Sequence, residues 1–178
     1  MAKKSSSTPS ATASAPRPVV IDGLRSPFVK AFGEFQRWGT VELSQRVAVE
    51  LLEKTRFPAD KLDEVIVGCV LPSVNAPNVA REVVLGTEIP NHVPGMTVAR
   101  ACSSSAQALI LAAQGIQTGD YRAVLVGGVE SMSNVPVPHN KRVIDTLMAF
   151  SKAKGVAKKV SLLRQLRPAD LLPKPPSI

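Results

Sequence analysis

The sequence predicts an α/β fold, a layered sheet covered by helices, and three observations predict it. Several short apolar runs lack polar alternation, which is how parallel strands buried on both faces read. Amphipathic helical patterns separate those runs, and a glycine or proline closes most of the segments. The resulting order is strand and helix in alternation, ending on a fourth strand.

Residues 19–24 are the first expected strand, buried and stopped by Arg25-Ser-Pro-Phe28, where Pro27 fixes a turn. Thr40 is the expected cap of the next helix, with Glu42 in its first turn. In that helix Leu43, Val47, Ala48, Leu51 and Leu52 form one stripe, while Gln45, Arg46, Glu50, Glu53 and Lys54 face water. Residues 65–71 read as a second buried strand with Cys69 in the core. Asn78 caps a helix over 79–85 that ends at Gly86, and residues 95–99 form a third strand. A helix follows Cys102 and ends at Gly119. Its apolar and small residues run from Ala106 to Ile116 without a polar face, which predicts burial nearly all round. Residues 123–127 are the fourth strand.

The totals set bounds on the whole. A chain of 178 residues, 44% of them hydrophobic, is long enough to bury a real core, and no apolar run approaches the ~20 residues of a membrane-spanning helix. Two cysteines in these positions do not make a disulfide framework, which fits a reducing compartment, the cytoplasm or the mitochondrial matrix. Residues 1–18 are Ser, Thr, Ala and Pro with no acidic group, and are expected to be a disordered tail. A transit peptide is the competing reading, weakened by a single arginine and no amphipathic pattern.

The net charge of +8 is uneven: +3 in the tail, −2 over 19–138, and +7 over 139–178. The last stretch interleaves lysines and arginines with Val143, Leu147, Phe150, Val156, Val160, Leu162, Leu163 and Leu166, giving basic amphipathic helices. Such helices can lie on an anionic membrane surface, with residues 141–167 as the contact; a solvated basic face over a local core is the plainer reading. Aromatic content of 4% argues against a nucleic-acid partner, since base stacking needs aromatic rings. No Gly-x-Gly-x-x-Gly follows a strand, which disfavours a dinucleotide-binding fold.

Cys102 is the candidate catalytic residue. It stands where the small-sided helix begins, cysteine reacts as its anion, and the positive end of a helix dipole favours an anion. The three serines after it offer side chains to the first-turn N–H groups. The competing reading is a structural cysteine, the common fate of a lone thiol.

Four stretches now stand in order: Arg25-Ser-Pro-Phe28, Asn78-Val-Ala-Arg81, Ala101-Cys-Ser-Ser-Ser-Ala106 and Gly127-Gly-Val-Glu-Ser-Met-Ser133. Together they make residues 19–138 resemble the N-terminal portion of the thiolase family of acyl-CoA acyltransferases. A related carrier-protein synthase shares the strand, cysteine and helix, but the Gly-Gly-Val-Glu-Ser-Met-Ser run favours thiolase. The basic continuation resembles the branch forming the thiolase subunit of fatty-acid oxidation multienzyme complexes, and residues 139–178 correspond to the start of its basic loop domain.

The resemblance implies a 3-ketoacyl-CoA thiolase or acetyl-CoA acetyltransferase chemistry through a Cys102 acyl-thioester. It needs no metal and no cofactor beyond CoA as substrate and product. The backbone N–H of Cys102 would be one oxyanion donor. It also implies a second half carrying Asn-Glu-Ala-Phe, Gly-His-Pro and Cys-Gly motifs, none of which occurs in this sequence. His92 and His139 stand in neither histidine context, so the chain alone is expected to be catalytically incomplete. Implied partners are acyl-CoA and CoA, a homo-oligomeric copy or a complementing thiolase half, and a β-oxidation complex. The alternative is a non-catalytic assembly module that pairs with a partner chain.

Overall fold

In a computed structural model of the chain, residues 16–136 and 140–172 are described. His139 and most of the expected N-terminal tail lie outside them. The described chain forms two units, one ending at Val135 and the other beginning at Pro136.

The first unit is built on β1 (Glu64–Gly68), whose five residues are all buried. It pairs in parallel with β2 (Gly95–Val98) on one side and β3 (Val124–Gly128) on the other, giving the order β2-β1-β3. Alternation along β1 divides the core into two layers, because successive side chains point to opposite faces. Val65 and Val67 pack with Ala48 of α1 (Thr40–Thr55) and with Val79, Ala80, Val83 and Val84 of α2 (Val79–Leu85). Ile66 packs on the other face with Ala108 and Ala112 of α3 (Ser104–Thr118). The run without polar alternation is explained: β1 has a hydrophobic layer on each side.

Two carboxylates bracket the β1–β3 pair. Ahead of β1, Asp63 accepts from the N–H groups of Arg122 and Ala123, at 2.6 and 3.0 Å. Beyond β3, Glu130 accepts from the N–H groups of Val70 and Leu71, at 3.0 and 3.3 Å. Each satisfies backbone donors just past the end of the ladder, where a sheet leaves them unpaired.

Asn78 caps α2 as expected, accepting from the Arg81 N–H at 3.1 Å, and Gly86 ends that helix. Four expectations need correction. Residues 19–24 form no strand: no ladder partner stands beside them, and Val19, Val20 and Ile21 are 76%, 75% and 72% exposed. The cap of α1 is Gly39, whose N–H donates to Glu42 at 3.0 Å; Thr40 lies inside the helix, and its buried hydroxyl has no partner. β1 stops at Gly68, leaving Val70 and Leu71 partly exposed, because the Glu130 clamp turns the chain away from the sheet there. α3 is not buried all round: Leu109 and Ile110 are 50% and 45% exposed, while the sheet and Tyr121 pack against its side carrying Ala108 and Ala112.

The second unit comprises α4 (Lys141–Lys152) and α5 (Val156–Leu163), packed on one another, and a short 3-10 turn, Pro168–Leu171. Asn140 caps α4 by accepting from the Arg142 N–H, and its Nδ2 donates to Asp170 at 3.2 Å. Asp170 is buried, accepts from the Arg167 N–H, and lies 3.5 Å from the Arg142 guanidinium. Val143 and Thr146 are buried, while Ile144, Leu147 and Met148 are about half exposed, so within this unit the apolar stripe of α4 is only partly covered by the described residues.

Candidate active site

The chain leaves β2 at Val98 and reaches the first residue of α3 at Ser104, and Cys102 lies in that connection with its side chain exposed. The connection therefore sits at the carboxyl end of a parallel strand, where open α/β sheets generally place their ligand sites.

Two glycines bring the start of α3 against the sheet. A Cβ on Gly68, the last residue of β1, would stand 2.4 Å from the backbone of Ser104 and Ser105; one on Gly128, the last of β3, would stand 2.4 Å from the Ser105 Cβ. Any side chain at Gly68 would push the first turn of α3 away, because backbone cannot yield as a flexible side-chain tip does.

The turn before the helix is held from within. Ala101 has φ of +45°, in the left-handed region that a Cβ disfavours. Ser104, 5% exposed, spans it: its hydroxyl donates to the Ala101 carbonyl at 2.7 Å and accepts from the Arg100 N–H at 2.8 Å. The N–H groups of Ser103 and Ser104 donate back to the carbonyls of Arg100 and Ala101. Thus the expected serine capping takes another form: Ser103, the N-cap, makes no side-chain cap bond, and Ser104 ties down the turn. The first turn of α3 carries no acidic residue to offset its positive end.

Cys69 contrasts with Cys102. It is 2% exposed, and its thiol donates to Glu130 at 3.8 Å. Burial first, and the neighbouring Glu130 carboxylate second, push that thiol up to about 11, so it stays protonated near neutrality.

The other motif residues serve the frame. Asn78 donates from Nδ2 to the Gly95 carbonyl and accepts from the Thr97 hydroxyl, and Arg81 donates to the carbonyls of Asn91 and Val93, so this motif fixes α2 to β2. After β3, Ser131 and Asn134 both donate to the Trp38 carbonyl, and Ser133 accepts from the Phe32 N–H. Phe28 is 94% exposed under the Arg25 guanidinium. His92 is exposed in the turn leading into β2, at the opposite end of that strand from Cys102, roughly 13 Å of strand away. Among the described residues no group of three or more His, Cys, Asp or Glu is gathered as metal ligands would be.

The roles of Asp63, Glu130, Ser104 and Gly68 escape sequence reasoning. Glu130 lies inside a quoted motif and Ser104 inside a noted serine run, but nothing in spacing says which backbone groups they meet. Gly68 carries a signal, a glycine within a strand, which often marks close backbone approach.

An α/β domain that presents a thiol between a parallel strand and the helix after it is the class these observations define. The chain matches the family model described as Thiolase, N-terminal domain, over residues 18–168, and it belongs to the thiolase family. It is 36% identical over 174 residues to a 3-ketoacyl-CoA thiolase of Klebsiella pneumoniae (strain 342), covering 98% of this chain and 40% of that one. It is 35% identical over 170 residues to a 3-ketoacyl-CoA thiolase of Escherichia coli O1:K1 / APEC, covering 96% and 39%. The crystal structure of the Bacillus anthracis acetyl-CoA acetyltransferase superposes with a TM-score of 0.67 at 35% identity, over 71% of this chain and 32% of that one. The Acat5 thiolase from Ascaris suum in complex with coenzyme A gives 0.58 at 35% identity, over 61% and 28%. The chain thus spans about two fifths of the length of the curated relatives it matches.

Proposed function

We propose that this chain is the nucleophile-bearing portion of a 3-ketoacyl-CoA thiolase or acetyl-CoA acetyltransferase, with Cys102 as the catalytic thiol. One observation carries the reading: in a thiolase-family chain, Cys102 is exposed in a tied-down turn at the carboxyl end of a parallel strand, while the second thiol is buried and protonated.

The Cys102 thiolate attacks the 3-keto carbon of a 3-ketoacyl-CoA, and the bond between the α and β carbons breaks. The electron pair leaves as the enolate of acetyl-CoA, which takes up a proton. The shortened acyl group stays on Sγ as a thioester until the thiol of free CoA attacks it, gives up its proton, and releases the Cys102 thiolate. The backbone N–H of Cys102 is the donor assigned to the oxyanion, since those of Ser103 and Ser104 are spent on the Arg100 and Ala101 carbonyls. His92 stands at the wrong end of β2 to move these protons, and His139 lies outside the described residues. The acid and base are therefore assigned to the part of the relatives' length that this chain does not span. CoA is both substrate and product, and the pathway served is fatty-acid β-oxidation.

Incubation with an acyl-CoA should give an acyl adduct by intact mass that disappears in Cys102→Ala. No adduct on the native chain, even with the remainder of a thiolase added in trans, would overturn the reading. A second reading, an assembly module whose use is to pair with a partner chain, is favoured by the uncovered edge of β3. Contact of residues 141–167 with an anionic membrane surface is the further partner that their basic, half-exposed helices support.

A further inference from the structure

We propose that Ser104 is a positioning residue for acyl transfer: by gripping the carbonyl of the Ala101–Cys102 peptide it aims the backbone N–H of Cys102 at the oxyanion. The proposal rests on the reading of Cys102 as an acyl-accepting thiol, but not on which thioester or ester brings the acyl group.

Arg100–Ser103 is a four-residue turn closed by the Ser103 N–H, which donates to the Arg100 carbonyl at 3.0 Å. Ala101 is its second residue, and its φ of +45° is a conformation that such turns ordinarily give to glycine. A Cβ makes that conformation strained, so bonds from outside the residue must keep it there. Ser104 supplies them. Its hydroxyl donates to the Ala101 carbonyl at 2.7 Å, its own N–H donates to the same oxygen at 3.2 Å, and the hydroxyl oxygen accepts from the Arg100 N–H at 2.8 Å. Helix capping does not describe these bonds. A capping hydroxyl accepts from an N–H further along the helix, whereas Ser104 is the first residue of α3 and reaches back toward the strand.

The Ala101 carbonyl and the Cys102 N–H belong to one planar trans peptide, so they point in opposite directions. A carbonyl drawn toward Ser104 therefore turns the Cys102 N–H away from the helix start, and none of the backbone bonds of the turn takes it up. The donor stands on the residue that carries the exposed thiol. Ser104 is itself fixed: it is 5% exposed, and its backbone lies so close to Gly68 that a Cβ there has no room. Relaxation of Ala101 to a negative φ would rotate the peptide and carry the N–H off its line, where a hydrogen bond to the tetrahedral intermediate weakens steeply.

The test compares two reactions of Cys102 in the full chain. Acetylation by p-nitrophenyl acetate passes through an oxyanion: the thiolate adds to the carbonyl carbon, the C=O electron pair moves to oxygen, and its return expels p-nitrophenolate and leaves the acetyl thioester. Alkylation by iodoacetamide displaces iodide at a saturated carbon and forms no oxyanion. Ser104→Ala should slow acetylation of Cys102 at least ~10-fold, while its alkylation rate, followed across pH, is unchanged. Adding Ala101→Gly, which removes the Cβ and lets the turn hold itself, should restore acetylation. Peptide mapping reads both adducts. Equal slowing of the two reactions, unchanged acetylation in Ser104→Ala, or no rescue by Ala101→Gly would each overturn the positioning role. Acetylation that depends on Ser104, in a chain that no acyl-CoA acylates, would keep the positioning and sink the thiolase reading; acylation by acyl-CoA that is indifferent to Ser104 would do the reverse.

Discussion

The two thiols of this chain occupy opposite environments, and the difference is local. Cys69 is enclosed in the α1/α2 layer and faces a carboxylate, which raises its thiol to about 11; Cys102 is exposed beyond the sheet. Alkylation near pH ~8 reads thiolate availability. Iodoacetamide should therefore label Cys102 and leave Cys69 untouched, with peptide mapping as the check and Cys102→Ala removing all native-state label. Labelling of Cys69 in the folded chain would show that the layer opens. The sequence was enough to separate the two, because a cysteine amid valines and glycine reads as core. It did not show what holds Cys102 in place. Ser104 and Gly68 act through contacts between residues far apart in sequence or across a turn, and composition carries no record of those.

At the level of elements, the β1–β3 pair is fastened by Asp63 and Glu130 rather than by strand length. The N–H of Arg122 first, and that of Ala123 second, hold the Asp63 carboxyl below its ordinary 3.8. A carboxylate depressed in the folded state contributes stability that is whole above its unfolded value and lost as pH falls through its folded value. Acid should thus loosen this pairing below about pH 4, and Asp63→Asn should lower stability near neutrality while flattening the acid limb. Urea midpoints measured across the acid range test it, and an unchanged acid limb in the variant would remove Asp63 from the account. The helices were legible because their signals are local: Asn78, Gly86 and Gly119 mark ends that side-chain chemistry and a missing Cβ determine. Residues 19–24 were not, since an apolar run says that a segment suits a sheet but not that a neighbour is there to pair with it.

The first unit keeps its core where both layers meet β1, and burial within it falls away toward β3 and the outer face of α3. Ile66→Ala, at a fully buried position, should destabilise by about 2–5 kcal/mol. Ile110→Lys, on the uncovered side of α3, should stay within ~0.5 kcal/mol. Denaturant midpoints decide this, and a large loss from Ile110→Lys would mean that the outer face of α3 is covered in solution. By itself the sequence determined the parallel α/β class, the Asn78 cap and the glycine ends of α2 and α3, the identity of the exposed and buried thiols and the family, because these rest on periodicity, residue chemistry and motifs contiguous in the chain. Only the tertiary structure decided that the first apolar run stands unpaired, that α3 is covered on one side, and that two glycines seat the helix behind Cys102. Those outcomes depend on which surfaces meet across long sequence separations, and pairing, unlike propensity, is a property of two segments at once.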